Sequence, residues 1–172
     1  MATILEGDAL GSGRKVAVAV AEFNRDVTEA LLDGCLRTLE RHGVEPEDIT
    51  VARVPGAFEL PLVCDALAAS EEYDAVVALG AVIRGETPHF AYVAGECARG
   101  IARAALDNGV PVIFGVLTTD TLEQAQQRAD RSVLRGADGG GAPRASKTAP
   151  RSNKGAEAAE TALRMASLLE KI

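Results

Sequence analysis

Four short apolar runs punctuate the chain. Residues 15–21 (KVAVAVA), 49–54 (ITVARV), 75–83 (AVVALGAVI) and 111–117 (PVIFGVL) are rich in β-branched side chains. The first, third and fourth are apolar almost without interruption, the pattern of strands covered on both faces. Residues 3–5 (TIL) fit a short extra strand at an edge. Between the runs the period becomes helical. Val27, Leu31, Cys35 and Leu39 share one face of a helix that Asn24 can cap and Gly43 can stop. Leu60, Val63, Cys64 and Leu67 follow the i, i+3, i+4, i+7 spacing. Thr87-Pro88 reads as an N-cap and a first-position proline, with Phe90, Ala94, Cys97 and Ile101 continuing the stripe. Asp120 and Glu123 resemble a capping box for a helix over about 121–134. A last helix covers 153–171, with Ala159, Leu163, Ala166 and Leu169 facing inward.

Strand and helix alternate at a spacing that implies right-handed crossovers and one parallel sheet with helices on both faces. The prediction is a single α/β domain over 1–172. It is a three-layer sandwich around a four-stranded parallel sheet in the flavodoxin-like order 2-1-3-4, plus the short N-terminal strand. Residues 135–151 (RGADGGGAPRASKTAPR) break the pattern. They hold no apolar side chain larger than Ala or Pro, cannot bury enough surface to offset ordering entropy, and predict a long, mobile loop insertion. Its basic side chains read as solvated.

Composition narrows the function. The chain has 172 residues and a net charge of −7, which argues against general phosphate-backbone binding, so no nucleic-acid partner is expected. No apolar run reaches the ~18 residues of a membrane span. No basic stretch followed by an apolar one opens the sequence, so no signal peptide, no membrane partner and a cytoplasmic location are expected. Cys35, Cys64 and Cys97 each fall in a predicted helix, without metal-ligand spacing, and read as small buried hydrophobes.

The chemistry gathers where open parallel sheets bind ligands, beyond the carboxyl ends of the strands. Glu22-Phe23-Asn24 ends the first, Pro55 to Glu59 the second, and Val82 to His89 the third. The fourth carries Phe114 and ends in Thr118-Thr119-Asp120. Phe23, Phe58 and Phe114 could sandwich a flat heteroaromatic ligand. Glu59 could accept from hydroxyls. Gly85-Glu86-Thr87, at a helix N-terminus, offers backbone N–H groups to an anion, with Arg84 or Arg128 as balancing charge. His89, in that helix's first turn, is the candidate for proton transfer near neutral pH. No GxGxxG follows a strand. GxxxxGK[ST], HExxH and GxSxG are also absent, which excludes the dinucleotide, P-loop, zinc-protease and nucleophile-elbow readings.

The strings AEFN (21–24), RVPGAFELP (53–61), LGAVIRGETPHF (79–90), GVPVIFGVLTTDTLEQA (109–125) and NKGAEAA (153–159) make the chain closely similar to the lumazine synthases of riboflavin biosynthesis. The resemblance covers nearly the whole chain except 130–152. It implies a flavodoxin-like sandwich that condenses 5-amino-6-ribitylamino-uracil with 3,4-dihydroxy-2-butanone 4-phosphate. The products are 6,7-dimethyl-8-ribityllumazine, phosphate and water, formed without a metal or redox cofactor. By the same resemblance Phe23 stacks on the pyrimidine, and Ala57, Phe58 and Glu59 hold it, with Glu59 on the ribityl hydroxyls. Ala81, Val82 and Ile83 present backbone groups to the uracil edge. Glu86 and Thr87 bind the phosphate with Arg128, and His89 shuttles protons. Phe114 and Arg128 come from a neighbouring subunit, and Lys154 and Glu157 line the site. The family forms pentamers, and residues 2–8 resemble the N-terminal strand of members that build sixty-subunit icosahedral shells. The short Gly-Thr-Lys link usual after the phosphate-binding Arg is replaced by the 135–151 segment. Two other readings share the scaffold: a shell or flavin-binding protein without catalysis, and an FMN-binding flavodoxin. The complete set Thr87, His89 and Arg128 favours the enzyme. The lack of a phosphate loop after the first strand disfavours the flavodoxin.

Overall fold

In a computed structural model, which describes residues 1–136 and 151–172, four parallel strands form one sheet. They are β1 (Val16–Ala21), β2 (Ile49–Val54), β3 (Ala75–Ile83) and β4 (Val112–Thr119), in the order β2-β1-β3-β4. The helices are α1 (Arg25–Arg41), α2 (Leu60–Ala69), α3 (His89–Asn108), α4 (Leu122–Arg128), α5 (Ser132–Gly136) and α6 (Lys154–Leu169). The order and the strand positions agree with the sequence reading. The predicted 135–151 loop lies largely outside the described residues.

The alternation of Val and Ala in β1 sorts the two layers by size. Val16, Val18 and Val20 face α1 and α6, packing with Leu31, Leu39, Ala159 and Leu163. Ala17, Ala19 and Ala21 face α2 and α3, packing with Leu60, Cys64 and Ile101. All six β1 residues are fully buried, as a central parallel strand requires. Each large side chain so buried contributes about 1.5–3 kcal/mol of transfer free energy. The small alanine face lets the second helical layer sit close, and α3 approaches so near that a Cβ on Gly100 would lie 2.6 Å from Pro61 Cβ. The three thiols are buried. Burial pushes Cys35 up to about 12 and Cys97 to about 11, and burial, with Cys97 nearby, pushes Cys64 to about 12.

Several local expectations are corrected. Residues 3–5 form no strand, because among the described residues no strand lies alongside to pair with them. The segment instead runs to α6, where Asp8 N–H donates to Ser167 Oγ at 3.2 Å and Lys171 Nζ donates to Glu6 O at 2.7 Å. The helix expected over 121–134 is two helices. Asp130 interrupts it by accepting from Ser132 N–H at 2.7 Å and donating its own N–H to Ser152 O at 3.0 Å. The cap of α4 is Thr121, not Asp120, with Thr121 Oγ1 accepting from Gln124 N–H at 3.2 Å. α3 starts one residue later than read, with Pro88 at the cap position.

Candidate active site

The sheet opens at its C-terminal edge. The β1–β3 ladder ends at Val20↔Leu79, whereas β1 keeps to β2. Glu22 N–H donates to Val54 O at 2.8 Å and Phe23 N–H to Pro55 O at 3.1 Å. β3 keeps to β4 as far as Ile83↔Thr119. The gap between β1 and β3 is the topological switch point of the sheet, where open α/β folds take ligands. A cleft of about 610 Å³ occupies it. Ala81, Val82 and Ile83 line it from β3, and Phe23, Ala57, Phe58, Glu59, Thr87 and His89 line it from the surrounding loops and α3. Its size suits one drug-sized ligand.

Phe23 is 71% exposed and Phe58 56%, so both rings offer aromatic surface to the cleft instead of to the core. Asn24 holds Phe23 at the rim. Its backbone is left-handed (φ 58°, ψ 47°), a conformation Asn tolerates better than most residues. Its Nδ2 donates to Ala81 O at 2.8 Å, bridging the gap that the backbone leaves open. Asn24 therefore starts α1 without a side-chain cap, contrary to the sequence reading. Only its carbonyl serves there, accepting from Val27 N–H at 2.9 Å and Thr28 N–H at 3.1 Å. On the β2 side Gly56 leaves room for Glu59: a Cβ at 56 would sit 3.1 Å from Glu59 Oε2.

α3 begins at His89 with no side-chain cap. The first N–H groups of such a helix suit an anion, reinforced by the helix dipole. Arg84 is paired outside the cleft in this chain. Its Nε donates to Asp120 Oδ1 at 2.7 Å, and its guanidinium lies 4.4 Å above the Phe90 ring. Among the described residues the cleft is lined by neither Lys nor Arg.

The remaining candidates lie elsewhere. Phe114, Arg128, Lys154 and Glu157 line a separate depression of about 420 Å³ on β4, α4 and α6. Phe114 is 44% exposed, Arg128 Nη1 donates to Gln124 O at 2.9 Å, and Lys154 Nζ lies 2.6 Å from Glu157 Oε2. Glu86 is exposed and lines neither hollow. The chain thus gathers Phe23, Ala57, Phe58, Glu59, Ala81, Val82, Ile83, Thr87 and His89 in one cleft, holds Phe114, Arg128, Lys154 and Glu157 apart from it, and leaves Glu86 in neither hollow. Sequence reasoning gave no cleft role to Asn24, Phe90, Tyr92 or Val93, which line it too. Tyr92 was findable, since it follows His89 by three residues and shares its helix face. Phe90 was hidden by its place on an apolar stripe.

Among the described residues no group of three or more His, Cys, Asp or Glu side chains could hold a metal ion. No helix there is long and apolar enough to cross a membrane. Comparison with known proteins gives many matches. A family model described as 6,7-dimethyl-8-ribityllumazine synthase matches residues 13–170. A curated protein of Syntrophus aciditrophicus (strain SB), itself named 6,7-dimethyl-8-ribityllumazine synthase, is 51% identical over 172 residues, covering 100% of both chains.

Proposed function

The chain belongs to the 6,7-dimethyl-8-ribityllumazine synthases of riboflavin biosynthesis, and from that premise we propose how its two hollows divide the reaction between them. The enzyme condenses 5-amino-6-ribitylamino-uracil with 3,4-dihydroxy-2-butanone 4-phosphate and releases the lumazine, phosphate and water. The β1/β3 cleft takes the pyrimidine. Phe23 stacks on its ring, Phe58 and Ala57 close the side, and the peptide groups of Ala81, Val82 and Ile83 read the uracil edge. Glu59 accepts from the ribityl hydroxyls. The phosphate of the second substrate rests on the backbone at Glu86 and Thr87, at the start of α3.

Chemistry follows from that placement. The substrate amine attacks the carbonyl held beside it, and water leaves as the C=N bond forms. Loss of phosphate then needs a proton removed from the carbon next to the former carbonyl, and the His89 imidazole takes it. Ring closure by the ribityl-bearing nitrogen completes the lumazine with loss of a second water. Holding two substrates side by side removes much of the entropic barrier, so positioning carries a large share of the rate.

Arg128, with Phe114, Lys154 and Glu157, completes the site from a neighbouring copy. The reading is supported by one observation above all: among the described residues the cleft that suits an anionic substrate is lined by neither Lys nor Arg, while Arg128 and Lys154 lie on a different face. The assembly is a pentamer at least, and the exposed Ile4 and Leu5 suit the further contacts of a shell. The test is purified protein mixed with both substrates while lumazine fluorescence is followed, alongside Arg128→Ala. Turnover that collapses in the variant supports the reading. Lumazine binding without turnover in the unaltered protein makes it a binding or shell protein instead.

A further inference from the structure

The β4-side hollow depends on a joint at residue 153. Asn153 is 3% exposed and touches three elements. Its Oδ1 accepts from Ala156 N–H at 3.1 Å, capping α6. Its Nδ2 donates to Ala30 O of α1 at 3.0 Å. Its backbone forms an antiparallel bridge with Ala129, the residue after Arg128. Ser152 extends the bridge, donating to Gln127 O at 2.9 Å and accepting from Asp130 N–H at 3.0 Å. α1 is shaped to receive the amide: a Cβ on Gly34 would lie 2.1 Å from Asn153 Oδ1. One turn earlier Leu31 O faces Gly155 so closely that a Cβ there would lie 1.9 Å away. Arg128 and Lys154 each adjoin one member of the Ala129–Asn153 pair.

We infer that Asn153 is a positioning residue for the synthase reaction: seated against Gly34 and bonded to Ala30 O, its amide fixes Arg128 and Lys154 relative to one another and to α1. This rests on the assignment of Arg128 and Lys154 to the site. The cap alone does not need an asparagine, since Ser at this position also caps. The long amide is needed to reach Ala30. Two halves of the bond can therefore be broken separately, from α6 and from α1.

The experiment measures KM for the phosphate substrate, kcat and Tm in Asn153→Ser, Gly34→Ala and their double variant, with Arg128→Ala and Lys154→Ala in parallel. Asn153→Ser keeps the cap and loses the Ala30 bond. Gly34→Ala leaves Asn153 in place chemically but displaces its amide. Each single variant is expected to raise KM at least fivefold with a smaller change in kcat. The double variant is expected to be no worse than either single one, because both remove the same seating. A merely structural role predicts a lower Tm with KM within twofold of the unaltered enzyme, and that result overturns the inference if Arg128→Ala or Lys154→Ala does raise KM. If Arg128→Ala and Lys154→Ala also leave KM unchanged, the site assignment fails first and the inference falls with it. Should Asn153→Ser prove insoluble, Gly34→Ala carries the same test with the asparagine itself retained.

Discussion

The cleft between β1 and β3 and the hollow on β4 are made of opposite materials. The cleft offers exposed aromatic rings, peptide edges, a carboxylate and an imidazole. The hollow offers a guanidinium and an ammonium, the latter paired with Glu157, beside one half-exposed Phe. Under the proposed function a flat polyhydroxylated ring takes the first, and the phosphate draws on both. In one chain the two are separate hollows, so the cleft is electrostatically unfinished. That separation, more than the contents of either hollow, is what the proposed two-copy site rests on.

The largest effect is expected at His89. His89→Ala is expected to lower kcat about a hundredfold while leaving measurable turnover, since general base catalysis supplies about 10²–10⁴ and positioning survives. Turnover within twofold of the unaltered enzyme, read by lumazine fluorescence, removes His89 from the chemistry. Arg128→Ala comes next. Losing a charged contact to phosphate is expected to cost about 1.5–3 kcal/mol, a fall of roughly ten- to hundredfold in kcat/KM. Phe23→Ala is expected to weaken binding of a lumazine product analogue by a comparable or smaller factor. Co-expressing Phe23→Ala with Arg128→Ala sharpens the test. If each site draws its two hollows from different copies, random mixing leaves about a quarter of sites with both residues intact. Activity of the mixture should then exceed that of either parent. Mixed oligomers no better than the parents would place both hollows' functions in one chain.

Smaller effects test how rigidly the second hollow is held. Thr121→Ala removes the side-chain cap of α4, the helix that ends in Arg128. A loss of about 1 kcal/mol is expected, seen as a Tm lower by about 2–4 °C in thermal unfolding. The smallest effect is expected from exchanging residues 137–150 for a Gly/Ser sequence of equal length. Asp130 and Ser152 join the chain on either side of that stretch through backbone bonds, so kcat/KM should stay within twofold. A tenfold loss would give the natural side chains there a role.

Much of the fold was legible because its signals are local. The continuous apolar runs of β1 and β3 could be nothing but doubly covered strands, and alternation with helical stripes set the parallel sheet. The cleft was legible for the same reason, since strand ends are visible in sequence and a parallel sheet collects them on one edge. What the sequence hid depends on distant partners. No periodicity announces that Asp130 will break a helix by pairing with Ser152, or that residues 3–5 will find no strand beside them. Nor could strand ends alone separate Phe114 from Phe23, because that depends on β4 lying at the sheet's margin while β1 lies at its centre. Asn153 stands in a string that resembles its family closely, yet its tie to Ala30 and the notch at Gly34 appear only when α1 and α6 are brought together.

The bridge between Ala129 and Asn153 also bears on how this chain could lengthen. The free energy of closing a connection grows with the logarithm of its length, by about 0.6 kcal/mol for each doubling. Once Gln127, Ala129 and Asp130 are fastened to Ser152 and Asn153, the number of residues spanning the fastening hardly enters the energetics of folding. Natural sequence drift can extend or shorten that span while the groups flanking the seam keep their places. An engineer wishing to display a foreign peptide on this scaffold has the same freedom at the same point.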